Sequence, residues 1–332
     1  MVSGPVRWWR RMPAVAKMAE ENEALTRSAG RSSNAPEMLP TLLHLPSGIR
    51  ISRLVFLYLA LTVIFTAPWV WLLLHAQSLD IGRGFVIHTQ MWAPALAAFT
   101  CCILFRIPFQ FLGFVWPGPR AMAWGYLLPI GYAAVAYLFV WSTGLAPADF
   151  ASFLHASERS LHIGSGAGVL NAALIITFGV LQSGVSATGE EIGWRGFLVP
   201  TLAQRFGFTG VALFSGIIWA LWHYPLILFG PYSSSAPKWV AIPCFTVMIV
   251  ATGAMAAWLR LKTGSVWPAA MFHACHNAVI QWLFDSMTVE TGRAARFAGE
   301  FGVALAFSSV LFAIPLWRSG VRLLAAARTS DA

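Results

Sequence analysis

The chain has 332 residues, of which 58% are hydrophobic, only 11% are charged and 16 are tryptophan. Soluble domains carry about 25% charged residues. This composition therefore excludes an ordinary water-soluble fold, and lipid must act as solvent for part of the surface. The formal net charge of +9 does not indicate nucleic-acid binding, because the basic residues lie in short clusters between apolar runs, where they orient membrane segments. We expect membrane lipid to be a partner and nucleic acid not to be one.

The first 50 residues differ from the rest of the chain. They are rich in Arg, Ser, Pro and Gly and contain an acidic cluster at Glu20, Glu21 and Glu23. They lack the apolar core and cleavage site of a secretory signal peptide. We interpret residues 1–50 as a basic, poorly ordered cytoplasmic tail.

Beyond the tail, the chain contains eight apolar runs, each near the ~20 residues that cross ~30 Å of hydrocarbon. The runs are 54–75, 85–105, 124–145, 168–198, 208–229, 239–259, 266–284 and 299–317. They predict an all-α, polytopic membrane bundle of about eight transmembrane helices over residues 51–320, followed by a short basic cytoplasmic C-terminus at 321–332. The four cysteines all lie in apolar stretches without Cys-x-x-Cys spacing, which argues against a disulfide framework and against zinc.

The basic residues are distributed unequally between the two sides of this bundle. Of the 22 Lys and Arg residues, 17 lie in residues 1–53, the 106–123, 195–205 and 260–265 connections and residues 318–332, whereas the other five lie in the opposite connections. The positive-inside rule then predicts that both termini are cytoplasmic. We expect a multi-pass protein of a cell inner membrane.

Three polar clusters interrupt the apolar runs, at 190–195, 219–225 and 273–277. An ionisable group in a spanning helix costs about 2.5–3.5 kcal/mol on insertion scales, so each cluster is a candidate site. Glu191 and Arg195 are four residues apart and can pair along one helix face. Glu190 lies about 100° around the helix and stays available for other work.

The second and third clusters have helical spacing as well. Trp219 lies one turn before His223, and His273 lies one turn before Asn277. If the fourth and fifth helices form a hairpin that turns near Phe206, Glu190 and His223 lie at nearly the same level, because they are ~24–26 Å from the turn at ~1.5 Å per residue. Each of these residues alone could be a structural polar contact, but together they indicate one shared site.

The three ordered motifs resemble the CPBP family of intramembrane metalloprotease-like proteins, which are also called CAAX proteases, bacteriocin-processing enzymes or the Abi family. The motifs are Glu190-Glu191-x-x-x-Arg195, Trp219-x-x-x-His223 and His273-x-x-x-Asn277, with residues 263–268 as the approach to the third motif. The resemblance extends over residues 50–320, and its specific part is 190–277. Trp219 stands where phenylalanine is commoner in the family, and the long basic tail is not part of the family pattern.

The resemblance implies an eight-helix bundle with a cavity among helices four, five and seven, and an endopeptidase without a metal or other cofactor. Glu190 would be the general base that activates a water, and His223 would orient that water. His273 and Asn277 would donate hydrogen bonds to the tetrahedral oxyanion. Glu191, Arg195 and Trp219 would be supporting residues, and the substrate would be a membrane-associated protein or peptide.

Three other functions remain open from the residues alone. Two Glu and several His residues could ligate Zn²⁺ in a metal-dependent membrane hydrolase, although the chain has no His-Glu-x-x-His spacing. The protein could instead be a non-catalytic membrane scaffold or a bacteriocin-immunity protein. A proton-coupled transporter could also use buried Glu and His, but the sequence shows no internal repeat of the kind that transporters have.

Overall fold

The computed structural model describes residues 45–82, 84–164 and 166–330. Most of the predicted tail, residues 1–44, lies outside these ranges. The described part of the chain is built from α-helices, and its only β-type pairing is a single bridge between Ala148 and Thr288. The helices are α1 Ile51–Ala76, α2 Phe85–Gln90, α3 Ala93–Leu104, α4 Pro119–Thr143, α5 Phe150–Leu161, α6 Ala167–Leu174, α7 Val180–Glu191, α8 Val199–Ala203, α9 Phe208–Phe229, α10 Lys238–Thr263, α11 Trp267–Asn277 and α12 Val303–Ser330.

Seven helical segments of the described chain are long and apolar enough to cross a membrane, and they contain from 20 to 37 residues. A helix of 20 residues already spans ~30 Å, the thickness of the hydrocarbon core. The segments are α1, α2 with α3, α4, the rod from α6 to α8, α9, α10 and α12. Large apolar side chains on these helices remain exposed, among them Phe56, Phe178 and Val185. Lipid is the solvent that suits such a surface, and the predicted all-α polytopic bundle is confirmed.

The predicted run 266–284 is not among the seven long apolar segments. It forms α11 and a π-helical continuation at Ala278–Phe284, and His273, His276, Asn277 and Gln281 lower its hydropathy. The helix packs against α4, α7 and α10, and most of its side chains are buried. The last predicted run also differs, because α12 starts only at Val303 and continues past residue 320 to Ser330.

The rod from Ala167 to Ala203 contains two π-helical segments, Ile175–Gly179 and Ile192–Leu198. The second follows directly after Glu191, just as the π-helical continuation of α11 follows directly after Asn277. Short π-helical segments inside α-helices are frequent at functional sites. Pro200 does not end the rod, because it lies in the first turn of α8, immediately after the π-helical segment.

Two glycines bring the turn between α2 and α3 against the rod. A Cβ atom on Gly189 would lie 2.8 Å from Trp92, and a Cβ atom on Gly193 would lie 2.4 Å from Pro94. The four-residue spacing of these glycines is the small-residue spacing that allows close helix approach in membranes. Since Glu190 directly follows Gly189, this contact fixes the position of the first polar motif relative to α2.

Candidate active site

The three polar motifs meet at one internal cavity of about 310 Å³. Its wall includes Glu190 from α7, Trp219 and His223 from α9, and His273 and Asn277 from α11. The hairpin argument from the sequence thus places Glu190 and His223 correctly at one level. Glu191 and Arg195 lie behind this wall with fully buried side chains.

Glu190 is 1% exposed and is held by two tryptophans. The indole Nε1–H of Trp219 donates to its Oε2 at 2.7 Å, and that of Trp194 donates to the same oxygen at 3.2 Å. Within the described ranges, no hydrogen bond to Oε1 is present. The contact with Trp194, which lies one turn further along the same rod, was not predicted from the sequence spacing. The carboxylate is oriented through Oε2 and keeps Oε1 for a ligand.

Glu191 forms the ion pair that its spacing predicts. Its Oε1 lies 2.7 Å from Arg195 Nη1, and both side chains are fully buried. The guanidinium also stacks on the indole of Trp219, with Arg195 Cζ 4.1 Å from the ring centroid. Trp219 therefore connects the two adjacent carboxylates, since it contacts Arg195 through its face and Glu190 through its N–H.

His273 lies between Glu191 and the cavity. Its Nδ1 is 3.0 Å from Glu191 Oε1, a contact that the sequence spacing did not predict. Because the carboxylate is an acceptor, Nδ1 carries the hydrogen and donates it. Nε2 is left on the other edge of the ring, and Glu191 stabilises positive charge on the imidazole.

His223 is oriented by the backbone of its own helix. Its Nδ1 lies 2.8 Å from the carbonyl oxygen of Trp219, so Nδ1 is the protonated nitrogen and Nε2 carries the lone pair in the neutral ring. The ring packs edge to face against Trp222, with the centroids 4.9 Å apart. A base at Nε2 is thereby held at the cavity wall.

Asn277 is half-buried, and its side chain makes no hydrogen bond to another described residue. Its carboxamide is therefore available to a ligand in the cavity. The side chain follows His273 by one turn on α11, so both motif residues reach the cavity from the same helix.

A second buried polar network at the same cavity was not predicted from the sequence. Glu300 accepts hydrogen bonds from Tyr232 Oη at 2.5 Å, from His276 Nε2 at 2.9 Å and from Gln281 Nε2 at 3.2 Å. Burial alone would raise the pKa of Glu300, but the bond and charge of His276 and the other two bonds outweigh burial and lower it to about 2. His276 is bonded in turn to Tyr132 through Nδ1.

Glu300 reaches the cavity from the connection between α11 and α12, although the sequence placed it at the start of the apolar run 299–317, because α12 begins only at Val303. The sequence spacing carried no signal that it belongs with the three motifs. As to metals, no group of three His, Cys, Asp or Glu side chains converges in a way that could hold an ion, as far as residues 45–330 are described.

Two comparisons with known proteins cover this same region. Residues 171–279 match the family of Rce1-like type II CAAX prenyl endopeptidases. A curated relative, CAAX prenyl protease 2 from Methanococcus maripaludis, is 31% identical over 118 residues, which are 32% of this chain and 42% of the relative. The match thus spans less than half of the relative's length. Both matches fall on the region that carries the three ordered motifs, and there the chain is similar to CAAX prenyl endopeptidases.

Proposed function

We propose that the protein is an intramembrane endopeptidase in which Glu190 activates a water molecule for attack on a peptide bond. The observation that carries this proposal is the carboxylate itself. Glu190 is 1% exposed, is fixed through Oε2 by two indole N–H groups and keeps Oε1 at a cavity that also holds two histidines and an asparagine. A general base must be within hydrogen-bond reach of the proton it takes, and Oε1 meets that requirement for a water in the cavity.

The first step forms the tetrahedral intermediate. Oε1 of Glu190 takes one proton from the water while the water oxygen bonds to the carbonyl carbon of the substrate. The lone pair on Nε2 of His223 accepts the water's other hydrogen and so fixes its direction of attack. This role follows from the bond between Nδ1 and the Trp219 carbonyl, which leaves Nε2 as the acceptor.

The carbonyl oxygen becomes an oxyanion in this step, and two donors are placed to receive it. The amide of Asn277 is unpaired among the described residues, and Nε2 of His273 is the ring atom opposite the Glu191 contact. Glu191 stabilises the imidazolium that donates from Nε2. Removal of one such donor typically lowers kcat by about 10²–10³-fold. The intermediate collapses when the carbon–nitrogen bond breaks and Glu190 returns its proton to the leaving amine, giving a carboxylic acid and an amine; the acid then passes its proton to the amine, which leaves a carboxylate and an ammonium group.

Arg195 and the second carboxylate balance charge around this chemistry. Two adjacent buried glutamates would repel each other, and Arg195 compensates Glu191 at 2.7 Å. The pair therefore acts through folding and through the orientation of His273, and not through contact with the substrate.

The substrate class is a membrane-associated protein or peptide. The matched relative is named a CAAX prenyl protease, so a farnesylated peptide that ends in the Cys-aliphatic-aliphatic-X sequence is the first defined substrate to test. The cavity lies nearer the connection after α9 than the turn between α8 and α9, since His223 is six residues from the end of α9, or ~9 Å along it. Whichever side of the membrane that connection faces is the side from which we expect aqueous access.

The test compares native membranes that contain the wild-type protein with membranes that contain Glu190→Gln at equal abundance. Mass spectrometry of labelled protein N-termini should detect at least one terminus that the wild type generates and the variant does not. Glu290→Gln is the matched control, because it makes the same chemical change at an exposed residue of the connection after α11, and it should behave as the wild type. Identical termini in all three samples would favour a scaffold or immunity protein.

A further inference from the structure

Gln90, the last residue of α2, belongs to none of the three motifs. Its side chain is 1% exposed, and it forms part of the wall of the cavity that contains Glu190. Its Oε1 is buried and has no hydrogen-bond partner within the described part of the chain. A buried oxygen without a donor keeps its full desolvation penalty, so the folded protein alone leaves Oε1 of Gln90 unsatisfied.

The backbone at Gln90 is fixed close to the proposed catalytic base. Met91 and Trp92, which follow it directly, contact the rod at Gly189, where a Cβ atom would lie 2.9 Å from the Met91 carbonyl oxygen and 2.8 Å from Trp92. Gly189 directly precedes Glu190. The close approach packs the end of α2 directly against the residue before Glu190, so Gln90 lies in the cavity wall beside the proposed base.

The other glutamine at this cavity differs from Gln90 in this respect. Gln281 donates from Nε2 to both carboxylate oxygens of Glu300, at 3.2 Å each. Its amide is therefore used within the protein, whereas Oε1 of Gln90 is buried without a partner among the described residues. One cavity thus contains a glutamine that is hydrogen-bonded within the protein and a glutamine with an unpaired oxygen, and the two can be compared by the same substitution.

A polypeptide cleaved inside a membrane needs hydrogen-bond partners for its backbone. In hydrocarbon every peptide N–H and C=O must be satisfied, and a helix satisfies them internally. A peptide bond that is to be attacked must leave the helix, and its neighbours then present unpaired backbone groups to the cavity. A carboxamide offers both a donor and an acceptor and so can pair with such a segment.

We propose that Gln90 is a substrate-binding residue whose carboxamide hydrogen-bonds the extended backbone of the substrate beside the scissile bond. This inference rests on the proposed endopeptidase function. It assigns to α2 a role in holding the unwound substrate, independent of the sequence of the substrate's side chains. Because the contact is made before and during the reaction alike, its loss should weaken binding and leave the chemical step nearly unchanged.

The experiment uses full-length protein purified in detergent and a quenched fluorescent peptide that spans the Glu190-dependent cleavage site found in native membranes. Gln90→Met keeps the side-chain length and removes the amide, and Gln281→Met makes the same change at the paired residue. Gln90→Met should raise KM by tenfold or more with kcat changed by less than threefold, and its Tm should equal or exceed that of the wild type. Gln281→Met should lower Tm, because Glu300 loses two hydrogen bonds.

Three results would overturn the proposed role of Gln90. An unchanged KM in Gln90→Met, with wild-type cleavage intact, overturns the inference alone. A fall in Tm in Gln90→Met as large as that in Gln281→Met shows that the amide is already paired in the protein and also overturns it. If the wild type shows no cleavage that depends on Glu190, the proposed function fails, and the inference fails with it.

Discussion

The buried ion pair between Glu191 and Arg195 provides a quantitative test of how the site is held together. Replacement of Arg195 by Met removes the positive charge and keeps a side chain of comparable length. Glu191 then remains buried with His273 Nδ1 as its only hydrogen-bond donor among the described residues. Its second oxygen, Oε2, already has no partner in the described structure, so it cannot compensate.

The expected cost follows from this geometry. Breaking a buried ion pair by removal of one partner typically destabilises a protein by about 3–5 kcal/mol, because it leaves an uncompensated charge. Arg195 is fully buried and also loses its stacking on Trp219, which at a desolvated site adds up to about 2 kcal/mol. We expect Arg195→Met to lower the free energy of unfolding by about 3–7 kcal/mol and Glu191→Gln, which keeps the stacking, to lower it by about 3–5 kcal/mol.

The double variant distinguishes a stranded charge from lost packing. In Arg195→Met with Glu191→Gln no charge is left unpaired, so the double variant should be more stable than the sum of the two single effects predicts, by at least ~1 kcal/mol. Equilibrium unfolding in mixed micelles with increasing dodecyl sulfate measures all four proteins. A stability of Arg195→Met equal to that of the wild type, or strict additivity of the two changes, would refute this account of the pair.

Three further predictions concern pH, topology and the tail. Burial raises the pKa of Asp285 from 3.8 to about 7, and a hydrogen bond from Tyr137 opposes this shift. Because the folded pKa lies above the unfolded value, the protonated carboxyl stabilises the folded protein below pH ~4. This contribution, up to about 4 kcal/mol, is lost as the pH rises through ~7. Asp285→Asn should flatten the decline in Tm between pH 4.5 and 8, and an unaltered decline would contradict the assignment. Reporter fusions after residues 79 and 235 should be periplasmic and those after residue 112 and at the C-terminus cytoplasmic, whereas an external C-terminus would contradict the topology. Deletion of residues 2–40 should preserve membrane insertion and cleavage, and lost cleavage at normal abundance would show that the tail is functional.

Local spacing predicted the parts of the site that lie within one helix or one hairpin. The four-residue interval predicted the contact between Glu191 and Arg195 because side chains at that interval share a helix face. The hairpin around Phe206 predicted the common level of Glu190 and His223 because helical rise is constant. Seven of the eight predicted apolar runs coincide with helical segments long and apolar enough to cross a membrane, because their length matches the bilayer. The eighth, 266–284, forms α11 and its π-helical continuation.

Contacts between helices distant in sequence could not be predicted in this way. Glu300 meets His276 across 24 residues and Tyr232 across 68, from a connection whose path no periodicity determines. Gln90 reaches the cavity because Gly189 and Gly193 admit Trp92 in the turn after α2 and Pro94 at the start of α3. That contact depends on which helix faces the glycines, which a single sequence does not specify.

The most direct test of the central claim is proteolysis by the purified protein in detergent, measured for wild type, Glu190→Gln and Asn277→Ala with and without a strong zinc chelator. The account predicts that the wild type keeps its activity in the chelator, that Glu190→Gln is inactive at normal abundance and stability because an amide cannot take the water's proton, and that Asn277→Ala loses about 10²–10³-fold in kcat. Activity that is lost to the chelator and restored by Zn²⁺ would make these side chains metal ligands. Full activity in Glu190→Gln would contradict the account outright.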